Sequence, residues 1–170
     1  GVKKITPGGV VTDFATGFGN AYYPVFDTAG NLYVTTLSNG GVKKITPGGV
    51  VTDFATGLGN AYFPVFDTAG NLYVTTFTNG GGRVKKITPG GTVTDFATGL
   101  GDASSPVFDT AGNLSVTTSS SGIVKKITPG GAVTDFATGL GAAYFQVFDT
   151  SGNLYVTTFT NGGGRVKKIT

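Results

Sequence analysis

The side chains able to do chemistry are few in kind. Nine Asp, twelve Lys and Arg and seven Tyr stand among many Ser and Thr hydroxyls, and Cys, His, Glu, Met and Trp are absent from all 170 residues. Disulfides, thiolate nucleophiles, zinc or haem ligation by His or Cys, and imidazole acid–base catalysis are thereby excluded. Most carboxylates recur in two settings: Asp13, Asp53, Asp95 and Asp135 in V-T-D-F-A, and Asp27, Asp67, Asp109 and Asp149 ahead of T-x-G-N. The second setting suits a tight hairpin, because Asp accepts bonds from nearby amides and Gly supplies positive φ. Calcium would need several converging oxygens and the EF-hand pattern is missing, so no metal site and no cofactor is expected. Lysines come in pairs, at 3/4, 43/44, 85/86, 125/126 and 167/168. Adjacent strand residues face opposite ways, so each pair reads as a solvated strand rather than one cationic site. With a net charge of +3 and little aromatic–basic interleaving, nucleic-acid binding is not expected.

These residues are set out on a repeat. V-K-K-I-T begins at Val2, Val42, Val84, Val124 and Val166, at intervals of 40, 42, 40 and 42 residues. The repeats are 2–41, 42–83, 84–123 and 124–165, with a partial one at 166–170. The long copies carry N-G-G-G-R (Asn79–Arg83, Asn161–Arg165), which makes an 82-residue pair the larger unit and reads as a flexible connection without phosphate-loop features. Within one copy, Val42–Thr46, Val50–Ala55, Phe63–Asp67 and Asn71–Thr76 are short runs of Val, Thr, Phe and Tyr bounded by Gly, Pro, Asn or Asp. Each has the composition and length of a strand, and none has the period of a helix. Four strands in about 40–42 residues is the arithmetic of a β-propeller blade. The expected fold is all-β, a propeller of four-stranded antiparallel blades. No run of 18 apolar residues occurs, so no membrane insertion is expected.

The run G-N-L-Y-V-T-T, followed by V-K-K-I-T-P-G-G-x-V-T-D-F-A-T-G-L, resembles the NHL, SMP-30 and streptogramin-lyase-like propellers of bacteria, and every repeat carries it. The usual Pro-x-Gly entrance of those blades is replaced here by Ala61-Tyr62-Phe63-Pro64, which alters the backbone at the start of the innermost strand. The resemblance implies the propeller fold. It also implies that lyase chemistry would need His and Glu around a divalent metal, and lactonase chemistry acidic ligands including Glu; no position here supplies either type. With the family's strand order, the chain opens on the third and fourth strands of one blade and ends on the first three of another, leaving Val166, Lys167, Lys168, Ile169 and Thr170 as a surplus pairing strand.

The copies also compare with one another. Tyr22, Tyr62 and Tyr144 are matched by Ser104; Tyr23, Phe63 and Phe145 by Ser105; Tyr33, Tyr73 and Tyr155 by Ser115; Leu37, Phe77 and Phe159 by Ser119. Four core losses of roughly 3–5 kcal/mol each would exceed the roughly 5–15 kcal/mol of a domain. The aromatic positions are therefore expected on a partly exposed patch whose members touch, covering blade edges or serving protein contact or sugar stacking. Sameness of the repeats favours a non-enzymatic structural or interaction propeller of an extracellular bacterial protein, self-associating as a homo-oligomer or within a polymer-forming array. A carbohydrate-binding module with a glycan partner is the alternative, and a divalent-metal-dependent lyase or lactonase stands third.

Overall fold

The computed structural model describes residues 1–37, 40–78, 81–160 and 162–170. Among these there are seventeen strands and no helix. The opening pair is β1 (Val2–Ile5) and β2 (Val11–Ala15). Three four-stranded antiparallel sheets follow, β3–β6 (Ala21–Ala55), β7–β10 (Asn60–Ala97) and β11–β14 (Ala103–Ala137), each in simple up-and-down order. The last sheet has three strands, β15 (Ala142–Phe148), β16 (Leu154–Thr160) and β17 (Gly163–Ile169). This is the expected all-β propeller. The surplus-strand residues Val166–Ile169 form the body of β17, paired with β16 on one side and open on the other.

Local chemistry accounts for the hairpins. The Asp67 carboxylate accepts the amides of Ala69 (3.0 Å) and Asn71 (2.8 Å) and the Asn71 side-chain amide (2.8 Å), and Asp27, Asp109 and Asp149 do the same in their own turns. Burial raises the Asp67 and Asp109 pKa values, but the bonds from Asn71 and Asn113 together outweigh it and hold both low. The N-G-G-G-R segments differ from the flexible connection expected. Asn79, Gly80 and Asn161 lie outside the described residues, whereas Gly81–Arg83 and Gly163–Arg165 belong to β9 (Gly81–Ile87) and β17, because the hairpin ladder runs on through Phe77↔Gly82 and Phe159↔Gly164. Gly82 cannot carry a side chain there: its carbonyl accepts the Leu100 amide at 3.0 Å, and a Cβ would lie 2.0 Å from the Gly101 oxygen.

The core lies between sheets. Val42, Leu58, Ala61, Leu72, Val74 and Ile87 close the seam between the first and second sheets, and Val84, Leu100, Leu114, Val116 and Ile127 the next. The first strands β3, β7, β11 and β15 run side by side around the axis, each touching the first strand of the next sheet. Each is broken by a bulge, where two residues face one on the neighbouring strand. Such bulges re-aim side chains.

Candidate functional site

The predicted aromatic patch divides into three groups. Tyr22, Tyr23, Tyr62, Phe63, Tyr144 and Phe145 sit on the bulged first strands and point to the axis. Ring centroids lie 4.0 Å apart for Tyr23–Phe63, 6.0 Å for Tyr22–Tyr23 and 6.0 Å for Phe63–Phe145. The last contact spans from the second sheet to the last, over the third. It forms because the third sheet presents Ser104 and Ser105 where a ring would stand. Tyr22, Tyr144 and Phe145 are exposed, so these rings form a partly wet apolar platform. Phe77 and Phe159 are also exposed, near the C-terminal ends of β8 (Leu72–Thr78) and β16.

Tyr33, Tyr73 and Tyr155 do not join the platform, and for the first two the expected exposure is wrong: Tyr33 is 4% and Tyr73 5% exposed. The Tyr73 ring packs edge-on against Phe96 of its own sheet (4.9 Å) and Phe108 of the next (5.0 Å), as Tyr33 does against Phe54 and Phe66. Tyr33 also donates to Asp27 (3.3 Å), and burial, followed by the Asp27 charge and that bond, pushes its pKa up to about 12. Tyr155 occupies the same place on the outer face of the last sheet and is half-buried. The third sheet loses its tyrosine without exposing Ser115 because Lys126 takes over the polar contact. Lys86 lies over the Tyr73 ring at 5.6 Å, whereas Lys126 reaches Asp109 at 3.5 Å and the Phe136 ring at 5.6 Å.

The paired lysines are not the solvated face expected, for Lys43, Lys85 and Lys125 are only 17–20% exposed. Lys43, Lys85 and Lys125 pair across the ladder with Asp53, Asp95 and Asp135 at 2.6–2.7 Å. The ninth carboxylate behaves differently, and it escaped the reading of the sequence. Asp102 stands where other copies have Asn20, Asn60 and Ala142, and it is the one aspartate that does not recur with the period. It lies at the axial mouth between the second and third sheets, where Tyr62, Phe63, Phe77, Ala103 and Ser104 complete a cleft of about 300 Å³. Ser119 donates a short hydrogen bond to one carboxylate oxygen, which also takes the Ser120 amide at 2.6 Å; the Ser120 hydroxyl donates to the other at 2.9 Å. Partial burial raises the Asp102 pKa, but these bonds collectively prevail and hold it below the ordinary value. Beside it, Ser104 meets Thr117 at 3.0 Å. Gln146, which replaces the proline at 24, 64 and 106, donates to the Ser105 carbonyl at 2.8 Å. Ser105 holds φ 47, and Tyr23, its counterpart in the first sheet, φ 45. Such left-handed non-glycine residues gather where surrounding structure imposes strain, often at functional sites.

The arrangement is thus an ionised carboxylate and a group of hydroxyls set against aromatic faces. That set places a hydrogen-bond acceptor and hydroxyl donors beside apolar ring faces. It does not fit a divalent metal. Both Asp102 oxygens are already engaged by protein donors, and among the described residues no three His, Cys, Asp or Glu side chains converge.

No family model matches the sequence, and no curated protein matches it. Solved structures do. Virginiamycin B lyase from Staphylococcus aureus, as a catalytically inactive variant with quinupristin, superposes with TM-score 0.78 at 15% identity, over 98% of this chain and 61% of that one. A structural-genomics target assigned as a gluconolactonase gives 0.76 at 12%, over 99% and 66%. The PQQ-bound aldose sugar dehydrogenase from Streptomyces coelicolor gives 0.72 at 12%, over 92% and 61%. The chain spans about half to two thirds of these structures, and at such identities the likeness is one of fold. The neighbours are the lyase and lactonase propellers that the repeat resembles. They overturn the expectation of a non-enzymatic structural propeller, since the lyase, gluconolactonase and dehydrogenase structures matched over 87–99% of this chain are named enzymes. That expectation leaned on the sameness of the repeats, and the repeats are not the same at the axis, where Asp102, Ser104, Ser105 and Gln146 gather. The redox cofactor of the dehydrogenase does not fit this cleft: it is a polycarboxylate, and the cleft offers a carboxylate and no Lys or Arg.

Proposed function

We propose that this β-propeller fold carries an enzyme for a small cyclic, polyhydroxylated substrate of the sugar-lactone class, with its site at the Asp102 cleft. The observation that carries the reading is the position of the one non-recurring carboxylate against the aromatic platform. Tyr62 and Phe63 offer their faces to the C–H side of a sugar ring, and Ser104 offers a hydroxyl to its edge. Asp102 is held ionised by Ser119 and Ser120 and can take a proton from an attacking water as its oxygen adds to the lactone carbonyl. The ring C–O bond then breaks, and the leaving alkoxide recovers a proton from Asp102 or solvent. A carboxylate with a lowered pKa is a weak base, which suits an activated acyl carbon better than an amide or a glycosidic bond. The apolar wall orients the substrate and the two serine donors hold Asp102 in place beside it, so positioning is part of what the site contributes.

Acid release from a panel of aldonolactones by the purified chain, followed at constant pH, tests the reading. Hydrolysis above the buffer rate is expected for at least one of them. Asp102→Asn should lower kcat by about a hundredfold, and Tyr62→Ala should raise KM with a smaller effect on kcat. Buffer-rate hydrolysis of the whole panel, or an Asp102→Asn protein as active as its parent, would overturn it.

A further inference from the structure

The hydroxyls at the axis of the third sheet can be assigned their hydrogens one by one. Thr117 on β12 (Leu114–Thr118) is completely buried, so no bulk water competes for its side chain. Three oxygens surround its Oγ1: the Ser104 carbonyl at 3.2 Å, the Tyr144 carbonyl of the next sheet at short range, and the Ser104 hydroxyl at 3.0 Å. A carbonyl has no hydrogen to give, and a threonine hydroxyl has one. Were that hydrogen spent on Ser104, the Thr117 lone pairs would press against two carbonyl oxygens, with both left unpaired on that side. The hydrogen therefore goes to a carbonyl, and in the Ser104–Thr117 contact Ser104 donates.

The first sheet shows what is particular to the third. Tyr22 pairs with Thr35 as Ser104 pairs with Thr117, and Thr35 likewise donates to the carbonyl opposite it, at 3.2 Å. Position 22 carries a ring, however, as do 62 and 144, and the third sheet alone sets a serine hydroxyl beside its threonine. Asp102 is committed in the same sense. A carboxylate has about four lone-pair sites, and the Ser119 hydroxyl, the Ser120 amide and the Ser120 hydroxyl occupy three of them. The open one lies on the oxygen that takes the Ser120 hydroxyl alone. Ser104 and Asp102 thus both meet the cleft with lone pairs, beside the rings of Tyr62, Phe63 and Phe77.

We infer that Ser104 and Asp102 form an acceptor-only edge, fixed at Ser104 by Thr117, and that this edge selects rings bringing a free hydroxyl hydrogen to Ser104. Resting on the sugar-lactone reading for the class of ring, the edge narrows that class. Water carries hydrogens and fits the open site on Asp102. The lactone carbonyl carries none, so it turns away from Ser104. Because Ser104 and Asp102 line the same cleft, the hydroxyl that Ser104 accepts from stands near the carbon that the water on Asp102 attacks. Rings in which that hydroxyl is missing, or is replaced by a group without a hydrogen, are rejected, since Ser104 then faces empty space or another lone pair. Thr117 touches no substrate. It is a positioning residue that acts through Ser104.

Anhydroglucitol, a sugar ring with no ester to cleave, separates recognition from turnover. Calorimetry gives its affinity for the unmodified chain and the affinities of its monodeoxy and monodeoxyfluoro derivatives. At one ring position both derivatives should bind about tenfold more weakly than the parent and equally with each other, because fluorine keeps lone pairs and brings no hydrogen. Thr117→Val releases the Ser104 hydrogen, so the fluoro derivative should then bind more tightly than the deoxy one. Thr117→Ser should keep the order of the unmodified chain. Ser104→Ala should bind the parent and both derivatives alike at that position, and it decides the matter even where circular dichroism shows Thr117→Val unfolded. Discrimination by the unmodified chain with no lactone hydrolysed would end the enzymatic reading and leave the acceptor edge standing. The acceptor edge is overturned if the unmodified chain prefers the fluoro derivative to the deoxy one, if folded Thr117→Val keeps the original order, or if the parent ring does not bind at millimolar concentration.

Discussion

Two neighbouring seams of the same ring are built on different principles. Between the second and third sheets, Tyr73 is clamped edge-on by Phe96 and Phe108 with Lys86 above it. Between the third and last sheets, the tyrosine is Ser115, Lys126 turns within its own sheet to Asp109, and Phe136 is left 41% exposed. The hairpin turns are otherwise alike, while the bulge on the flanking first strand is shifted by one position between β11 and β15. The comparison shows that a propeller seam tolerates loss of its central ring when a long cation on the adjacent strand can turn to the hairpin aspartate.

The contrast can be broken most severely from the aromatic side. Tyr73→Ser should cost about 3 kcal/mol in urea unfolding, because it empties a closed seam. Phe96→Ala should cost a similar amount and Phe136→Ala only about 1 kcal/mol; equal losses would show that the two seams are packed alike. The converse change, Ser115→Tyr, restores the clamp between Phe136 and Phe148 and should add about 1 kcal/mol. Lys126→Ala should cost less than about 1 kcal/mol, since the pair it breaks is partly solvated.

Titration sharpens the same comparison. The Tyr33 hydroxyl has its pKa raised to about 12 in the folded protein, above the ordinary value near 10. Between those pH values the unfolded chain loses this proton and the folded one keeps it, so stability is full below about pH 10 and falls as the pH rises through 12. Tyr33→Phe should flatten that alkaline loss in a series of urea midpoints, and a seam that lacks the tyrosine contributes nothing to it. The hairpin aspartates act at the opposite end. Asp67 and Asp109 are held low, so their contribution is present above about pH 4 and is lost as the pH falls through their folded values.

The period, the strand content and the Asp-Asn hairpins were legible in the sequence because they depend on local chemistry repeated in every copy. What failed did so for one reason: the cost of a substitution depends on what fills the space. Serine at 115 seemed to require an exposed tyrosine at 33 and 73. It does not, because Lys126 is long enough to reach Asp109. The axial site was half legible. The Tyr22, Tyr62 and Tyr144 positions were marked by their joint change, while Asp102 went unremarked until the fold brought it beside Phe63 and Ser104. Its lack of a periodic counterpart was the available signal.

The bulges on the first strands carry a further consequence. In the first and third sheets the unpaired residues are Tyr23-Pro24 and Ser105-Pro106, but in the second and last they are Tyr62-Phe63 and Tyr144-Phe145, shifted by one position. The backbone therefore alternates around the axis with the rhythm of the 82-residue pair. Unequal crossing-over that gained or lost a single blade would set two like bulges side by side, whereas gain or loss of a pair would leave every neighbour relation intact.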